Sequence, residues 1–317
     1  MHKDILLSIC IPTYNRAEYL RKTLSSITGQ EGFDDRVEIV ISDNCSTDHT
    51  SDVVMDFKKK HANIFYYCNE TNITDKNFVR ALSLGNGLFL KLLNDTALFG
   101  RQSLLEILNV IQENKTEKPV LYFANGTSKS AAGRSIFYDL NSFLSEASFY
   151  VTWIVTFGMW KSYFDTINDK YEGIELNLNQ TILLFNNVLE RKMAVVISRE
   201  LFSVEAVKNK GGYNLVTVFV GNYVGKILFS YYKKNNISGI IYRNEKNRLL
   251  KDFLYPWLYR LRKSDSEYRL LSKGSAGLLF KYYGLNPEFY FYMIKLNIKL
   301  FVSSFRSYFR VSDNRSD

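Results

Sequence analysis

The chain has 317 residues, 46% hydrophobic and 23% charged, with 41 Lys plus Arg against 32 Asp plus Glu for a formal net charge of +9. Such a chain can bury a sizeable core, and its composition excludes a wholly disordered protein. With 17 Gly, 4 Pro and 3 Cys it also excludes collagen, coiled-coil and disulfide-scaffold classes.

The predicted elements alternate over the first 125 residues. Leu6–Ile11 is an apolar run of strand length, ended by Pro12, where ladder pairing should stop. Ala17–Thr28 carries Ala17, Leu20, Leu24 and Ile27 at helical spacing. Val37–Ser42 is continuous and β-branched, as expected of a strand buried on both faces. Asp48 can cap a helix that runs to Lys60. Ile64–Tyr67 reads as a strand, and Asp75–Leu84 as a helix stopped by Gly85. Leu88–Leu93 reads as a strand, Ser103–Glu113 as a helix and Val120–Ala124 as a strand. Strands alternating with helices predict an α/β fold of βαβ units, with a mostly parallel sheet flanked by helices. Its crossovers should be right-handed, with a ligand beyond the carboxyl ends of the strands.

The pattern changes after residue 125. Asn125–Arg134 is a Gly/Ser-rich loop, and Ser142–Trp160 is aromatic and apolar. Asn179–Glu190 reads as a helix and Ala194–Ser198 as a strand. From about residue 215 helical patterns prevail, with clustered Tyr, Phe, Lys and Arg. This places a domain boundary between residues 1–205 and a helical region at 206–317.

Cys10, Cys45 and Cys68 form neither a disulfide framework nor a zinc spacing, which favours a reducing, cytoplasmic setting. The N-terminus is a poor signal peptide, since Ile5–Ile11 is interrupted by Ser8 and followed by Pro12. The uncharged stretch Ala147–Trp160 is shorter than the about 20 apolar residues of a spanning helix, so no transmembrane segment is expected.

Two segments carry the chemistry. Leu7–Arg16 reads LSICIPTYNR, and Glu38–Asp48 reads EIVISDNCSTD. Each strand ends in a polar turn at the same sheet edge. Thr13 and Asn15 supply hydrogen-bonding groups, and Asp43 and Asn44 add acceptors and an amide. Groups of this kind at adjacent strand ends can hold a base and ribose. The plain alternative is turn chemistry with Asp48 as a cap.

The pair resembles the start of family-two glycosyltransferases with the GT-A fold, a Rossmann-like sheet. Those enzymes end their first strand in a Pro-Thr-Tyr-Asn type turn and a later one in Asp-Asp/Asn-x-Ser-Thr-Asp. Asn69–Asn72, Asn77 and Arg80 resemble the next element, although Ile73 or Thr74 stands where the family has Gly. The resemblance covers roughly residues 5–115. It implies a nucleotide-activated sugar donor, UDP-linked, with residues 1–205 as the catalytic domain. Pro12, Thr13, Asn15 and Asp43 would contact base and ribose, with Tyr14 and Asn44 beside them. Asn72 and Arg80 would help hold the nucleotide.

Family members end the next strand in an acidic Asp-x-Asp type motif that holds Mg²⁺ or Mn²⁺. Here that position reads Asn94-Asp95-Thr96, with one carboxylate. Magnesium uses one or two carboxylates together with phosphates and waters. Asp95 would supply the metal bond and Asn94 would accept from water or ribose. The alternative is that Asp95 caps a turn. An inverting transfer also needs a base near the acceptor hydroxyl. In the family that base follows the metal motif by several tens of residues, near the start of a helix. Glu175 is chosen because it lies just before the helix that begins near Asn179, with Asp165, Asp169 and Glu172 as alternatives. The Gln-x-x-Arg-Trp motif of processive members is absent, so single-sugar addition is expected. Aromatics at 149–164 would offer a platform for an acceptor sugar, or are ordinary core.

The basic excess is local. Residues 206–317 hold 20 Lys plus Arg and 7 Asp plus Glu, a net +13, which leaves residues 1–205 at −4. Tyr290, Ile294, Ile298, Phe301, Phe305 and Phe309 fall on one side of a helix, and Lys295, Lys299, Arg306 and Arg310 on the other. That composition suits an in-plane helix on an anionic membrane. Its apolar face could instead pack on the catalytic domain or on a second copy in a homo-oligomer. A membrane surface fits a glycan acceptor on polyprenyl diphosphate at the cytoplasmic leaflet. Nucleic acid is not expected as a partner, since no RNP-type or zinc-finger pattern occurs. The degraded acidic motif leaves a second reading open, a catalytically weak homologue acting as a scaffold. A Rossmann dehydrogenase is a poor alternative, because no GxGxxG follows the first strand.

Overall fold

The computed structural model describes residues 5–129, 133–207, 214–263 and 274–313. The apolar runs at the start of the chain become the centre of a sheet. Strands β1 (Leu7–Thr13) and β2 (Val37–Asp43) are buried along their whole length and pair in parallel from Leu7↔Val37 to Thr13↔Asp43. Strand β3 (Ile64–Cys68) extends the sheet beyond β2, and β4 (Phe89–Leu92) joins the other edge of β1, both in parallel. Helices α1 (Ala17–Thr28), α2 (Thr50–Lys58) and α3 (Lys76–Ser83) make the crossovers. On α1 the buried residues are Ala17, Leu20, Thr23, Leu24 and Ile27, a stripe at helical spacing.

Later elements are β5 (Ala97–Phe99), α4 (Ser103–Asn114), β6 (Val120–Phe123), β7 (Arg134–Phe137), α5 (Leu140–Ala147), β8 (Gly158–Trp160), α6 (Lys161–Thr166), α7 (Asn179–Arg191), β9 (Ala194–Ile197) and β10 (Phe202–Val204). The main sheet runs β3-β2-β1-β4-β8, with β8 antiparallel to β4. A second sheet runs β6-β9-β7, and β5 pairs with β10. The chain passes from β1 to β2 and β3 on one side, then to β4 on the other. That reversal opens a crevice at the carboxyl ends of β1 and β4.

One expectation is corrected. Pairing does not stop at Pro12, since Pro12↔Ser42 and Thr13↔Asp43 continue the ladder. In a parallel ladder successive residues turn their backbone groups to opposite neighbours. The Thr13 carbonyl accepts from Asn44 N at 2.9 Å on the β2 side. Pro12 therefore faces the β4 side, where pairing has already ended at Cys10↔Leu92. Its missing N–H costs nothing there.

The aromatic segment is mostly core. Phe149, Phe157 and Trp160 are buried, and the Trp160 indole donates to the Pro119 carbonyl at 2.6 Å. Trp153 stays 37% exposed and lies edge-on to Tyr150. Lys91 on β4 is fully buried, and its ammonium donates to the carbonyls of Leu92, Val155 and Phe157 at 3.0, 2.6 and 2.9 Å. It thereby ties the main sheet to the segment that carries Trp153.

The chain divides into two compact units, Met1–Val207 and Lys208–Asp317. The second is helical. A π-helical stretch Val216–Leu228 runs into α8 (Phe229–Lys233) and is followed by α9 (Gly239–Arg248). A second π-helical stretch, Leu249–Leu254, runs into α10 (Tyr255–Lys263), and α11 (Ser275–Tyr283) and α12 (Pro287–Asp313) complete the unit. Gly225 lets Tyr282 of α11 lie directly on the first stretch, where any Cβ would clash with the ring. No helix of the described residues is long and apolar enough to cross a membrane.

Candidate functional site

The carboxyl ends of β1, β2 and β4 carry Pro12 to Asn15, Asp43, Asn44, Asn94 and Asp95, and hydrogen bonds tie Thr13, Asn15, Asp43, Asn44 and Asp95 to the turns around them. Asn15 adopts a left-handed backbone (φ 51°), which Asn tolerates better than most residues. There its amide donates to Ser46 Oγ at 2.8 Å and its side-chain oxygen accepts from Thr47 N at 2.7 Å. Asp48 caps α1 as well as α2, accepting from the amides of Ala17 and Thr50 at 3.1 and 3.0 Å. Burial opposes its charge, but the bonds from Thr50 and Ala17 prevail and hold its pKa below the ordinary value.

Asp43 is 1% exposed, so its carboxylate is an internal strut. One oxygen accepts from Ser46 N and Oγ at 3.0 and 2.5 Å, the other from the Tyr66 hydroxyl at 2.6 Å. Burial, then the bond to Asp43, pushes the Tyr66 phenol well above its ordinary pKa. Asn44 uses both ends of its amide to bind the next loop. It donates to Asn72 Oδ1 at 2.8 Å and to the Thr74 carbonyl at 3.2 Å, and it accepts from Ile73 N at 2.8 Å. Asn77 ties α3 to β2 through Ser42. The expected base and ribose contacts are thus brought to one rim. There Thr13, Asp43 and Asn44 spend their polar groups bracing it, while Tyr14, Asn15 and Asn72 remain exposed and Asn94 half-buried. Arg80 lies exposed on α3 with no ion-pair partner among the described residues.

Asp95 sits at the centre of the rim and is 3% exposed. One carboxylate oxygen accepts from the Thr13 hydroxyl at 2.9 Å and the other from Arg16 Nη1 at 2.8 Å. Its carbonyl accepts from Thr23 of α1 at 2.9 Å. Arg16 was not among the residues expected from sequence. It lies next to Asn15 in the motif, but the signal that would have marked it is a pairing with a residue 79 positions away.

The four candidate bases separate. Asp165 pairs with Lys161 at 3.0 Å, Asp169 accepts from Tyr171 N in a turn, and Glu172 accepts from Asn186 at 3.3 Å. The carboxylate of Glu175 is exposed and has no partner among the described residues. It stands on a short 3₁₀ turn, Ile174–Leu176. Gly173 opens that turn with φ 68°, packed against Ile182 where a Cβ would clash. The next residue, Asn177, reaches Asp75 before α3 at 2.7 Å, which fixes the turn to the rim side of the domain.

Residues 8–171 match the sequence model of glycosyl transferase family 2. The chain belongs to glycosyl transferase family 2. It is 48% identical over 86 residues to the abequosyltransferase RfbV of Salmonella typhimurium, covering 26% of each chain. It is 35% identical over 91 residues to the GalNAc(5)-diNAcBac-PP-undecaprenol β-1,3-glucosyltransferase of Campylobacter jejuni, covering 28% of this chain and 29% of that one. These matches span only about a quarter of each relative's length. Among solved structures, S. aureus TarS 1–349 in complex with UDP-GlcNAc shares the fold, with a TM-score of 0.57 and 18% identity over 89% of this chain and 82% of that one. So does the mannosyltransferase PcManGT of Pyrobaculum calidifontis, in complex with GDP-Man and Mn²⁺, with a TM-score of 0.53 and 14% identity over 92% of this chain and 86% of that one.

The donor set at Asp95 does not fit a divalent ion. Asn94 is neutral, and no three His, Cys, Asp or Glu side chains gather as a metal site among the described residues. Asp95 is a lone carboxylate with both oxygens already in hydrogen bonds, one of them from a cation. A divalent ion there would have to share that carboxylate with the Arg16 guanidinium.

Proposed function

We propose that this family-two member is a non-processive, inverting glycosyltransferase that moves a sugar from a UDP-sugar to a lipid-linked or polymeric envelope glycan. The observation that carries the reading is the braced rim at the ends of β1, β2 and β4, inside the segment that matches the family. Tyr14, Asn15, Asn72 and Asn94 border it and would face the nucleotide. The complex of TarS with UDP-GlcNAc supports a UDP-sugar, and the undecaprenol-linked substrate in the Campylobacter relative's name supports a lipid-linked acceptor.

Glu175 is the base of this proposal. Its carboxylate takes the acceptor hydroxyl proton as that oxygen attacks the anomeric carbon. The bond from that carbon to the diphosphate breaks on the opposite face, so configuration inverts. UDP leaves, and the proton passes from Glu175 to water. Trp153 is the large aromatic of the acceptor segment that stays exposed, and an indole suits the apolar face of a sugar.

The exposed side of α12 supports a membrane-surface acceptor. Ile294, Ile298 and Phe301 are 60%, 59% and 70% exposed, with Phe291 and Val302 on the same stripe. Lys295 and Lys299 lie over the rings of Tyr255 and Tyr259 on α10. Phe305, Phe309, Arg306 and Arg310 belong to the end of α12, whose side chains lie outside the described residues. An apolar stripe beside a net +13 favours an anionic bilayer over a second, equally basic copy.

The test is UDP release from UDP-sugars with and without polyprenyl-linked glycan, together with UDP affinity by calorimetry. Glu175→Gln should cut turnover by about 10²–10⁴-fold with UDP affinity intact. Near-normal turnover in that variant removes Glu175 from the role. UDP binding without any transfer favours the scaffold reading.

A further inference from the structure

The Arg16–Asp95 pair bears on what neutralises the donor diphosphate. The unit that carries the rim is slightly acidic, net −4 over residues 1–205, so bulk charge supplies no attraction. A local cation is required. The expected one is a metal ion on Asp95, but that carboxylate is already balanced by a guanidinium at 2.8 Å. A divalent ion on the same carboxylate would meet that guanidinium at close range, and like charges there repel strongly in a part-buried site.

Arg16 itself has the right construction for the task. Its backbone is fixed at the start of α1, directly after Asn15, whose amide and side chain are both bonded to the β2 turn. Its one polar contact through the guanidinium among the described residues is Asp95 Oδ1. A guanidinium has five N–H donors, so most of its fork remains for a ligand. The side chain is 29% exposed against 4% for Asp95, so the pair is anchored below and open above. A planar fork held on one side by a carboxylate is preorganised to grip phosphate oxygens with the other.

We propose that Arg16, positioned by Asp95, is the cation that grips the donor diphosphate, so that nucleotide binding at this rim needs no divalent ion. The proposal rests on the nucleotide-sugar reading of the rim. In it Asp95 is a positioning residue, and the guanidinium offsets the charge that develops on the departing diphosphate.

Calorimetry with UDP, GDP and CDP, first in excess EDTA and then with MnCl₂, tests this on the full chain. The expected result is that at least one diphosphate binds with the same affinity in both. Arg16→Lys keeps a charge near Asp95 but loses the fork, and should weaken that binding about 10-fold or more. Arg16→Ala should weaken it further, and its melting curve reports whether the fold survives the unpaired Asp95. Mn²⁺ paramagnetic resonance with wild-type protein alone should show the free aqueous ion. Binding that appears only with MnCl₂, and that Arg16→Lys leaves unchanged, overturns the proposal and returns Asp95 to the metal. If none of the three binds in either condition, the nucleotide reading of the rim falls, and the Arg16 proposal with it.

Discussion

Lys91→Met probes the buried cation beneath the rim. Burial pulls the Lys91 ammonium from an ordinary 10.5 down to about 7. Between those values the unfolded chain binds more protons than the folded one. Stability therefore rises with pH across that window, and the cost of the buried charge is greatest below pH 7. At about 1.4 kcal/mol per pKa unit, the shift makes the wild type gain about 2 kcal/mol from this residue between pH 7 and about pH 9. Met fills a similar volume, lacks the proton, and also abandons the three carbonyls that Lys91 serves. The neutral amine has two N–H donors, so about 1 kcal/mol for each of two hydrogen bonds is lost independently of pH. The difference in stability between variant and wild type should thus shift against the variant by about 2 kcal/mol over this window, with a constant offset. Urea unfolding followed by fluorescence in a Trp257→Phe background measures it, because the remaining Trp153 and Trp160 both lie in the first unit. A difference that stays flat from pH 7 to about pH 9 would refute the argument and show that the three carbonyls keep Lys91 charged.

Trp153→Ala removes the exposed indole beside Tyr150 and should raise the acceptor KM about 10-fold, about 1.4 kcal/mol, with UDP affinity unchanged. An unchanged KM removes the platform role. For α12, Ile294→Asp with Ile298→Asp should lower binding to anionic vesicles about 100-fold, from about 1.5 kcal/mol of lost burial for each side chain. Flotation equal to wild type would show that this stripe is not what meets the bilayer.

Much of the architecture follows from neighbours a few residues apart. Val37–Asp43 becomes a fully buried central strand because every position in VEIVISD is apolar or finds an internal partner. Glu38 shows the second case, accepting from Ser8 of β1 and Asn86 N, each at 2.6 Å. Strands β5, β7, β8 and β10 were not legible. Each is three or four residues long, too short to show a period, and exists because another strand lies beside it.

The rim shows the same division. Its members were legible as two motifs, PTYN and DNCSTD, but their tasks were not. Asp43 and Asn44 were legible by their chemistry, but the fold is what shows that they brace the loops around them. The sequence by itself determined the order of elements, the sheet edge that carries the polar motifs and the concentration of positive charge beyond residue 205. Those properties depend on composition and local period. Only the tertiary structure decided that Arg16 lies on Asp95, that Lys91 is buried among three carbonyls, and that the apolar stripe of α12 faces outward. These depend on which strands and helices become neighbours, and pairs 79 and 64 residues apart leave no periodic trace along the chain.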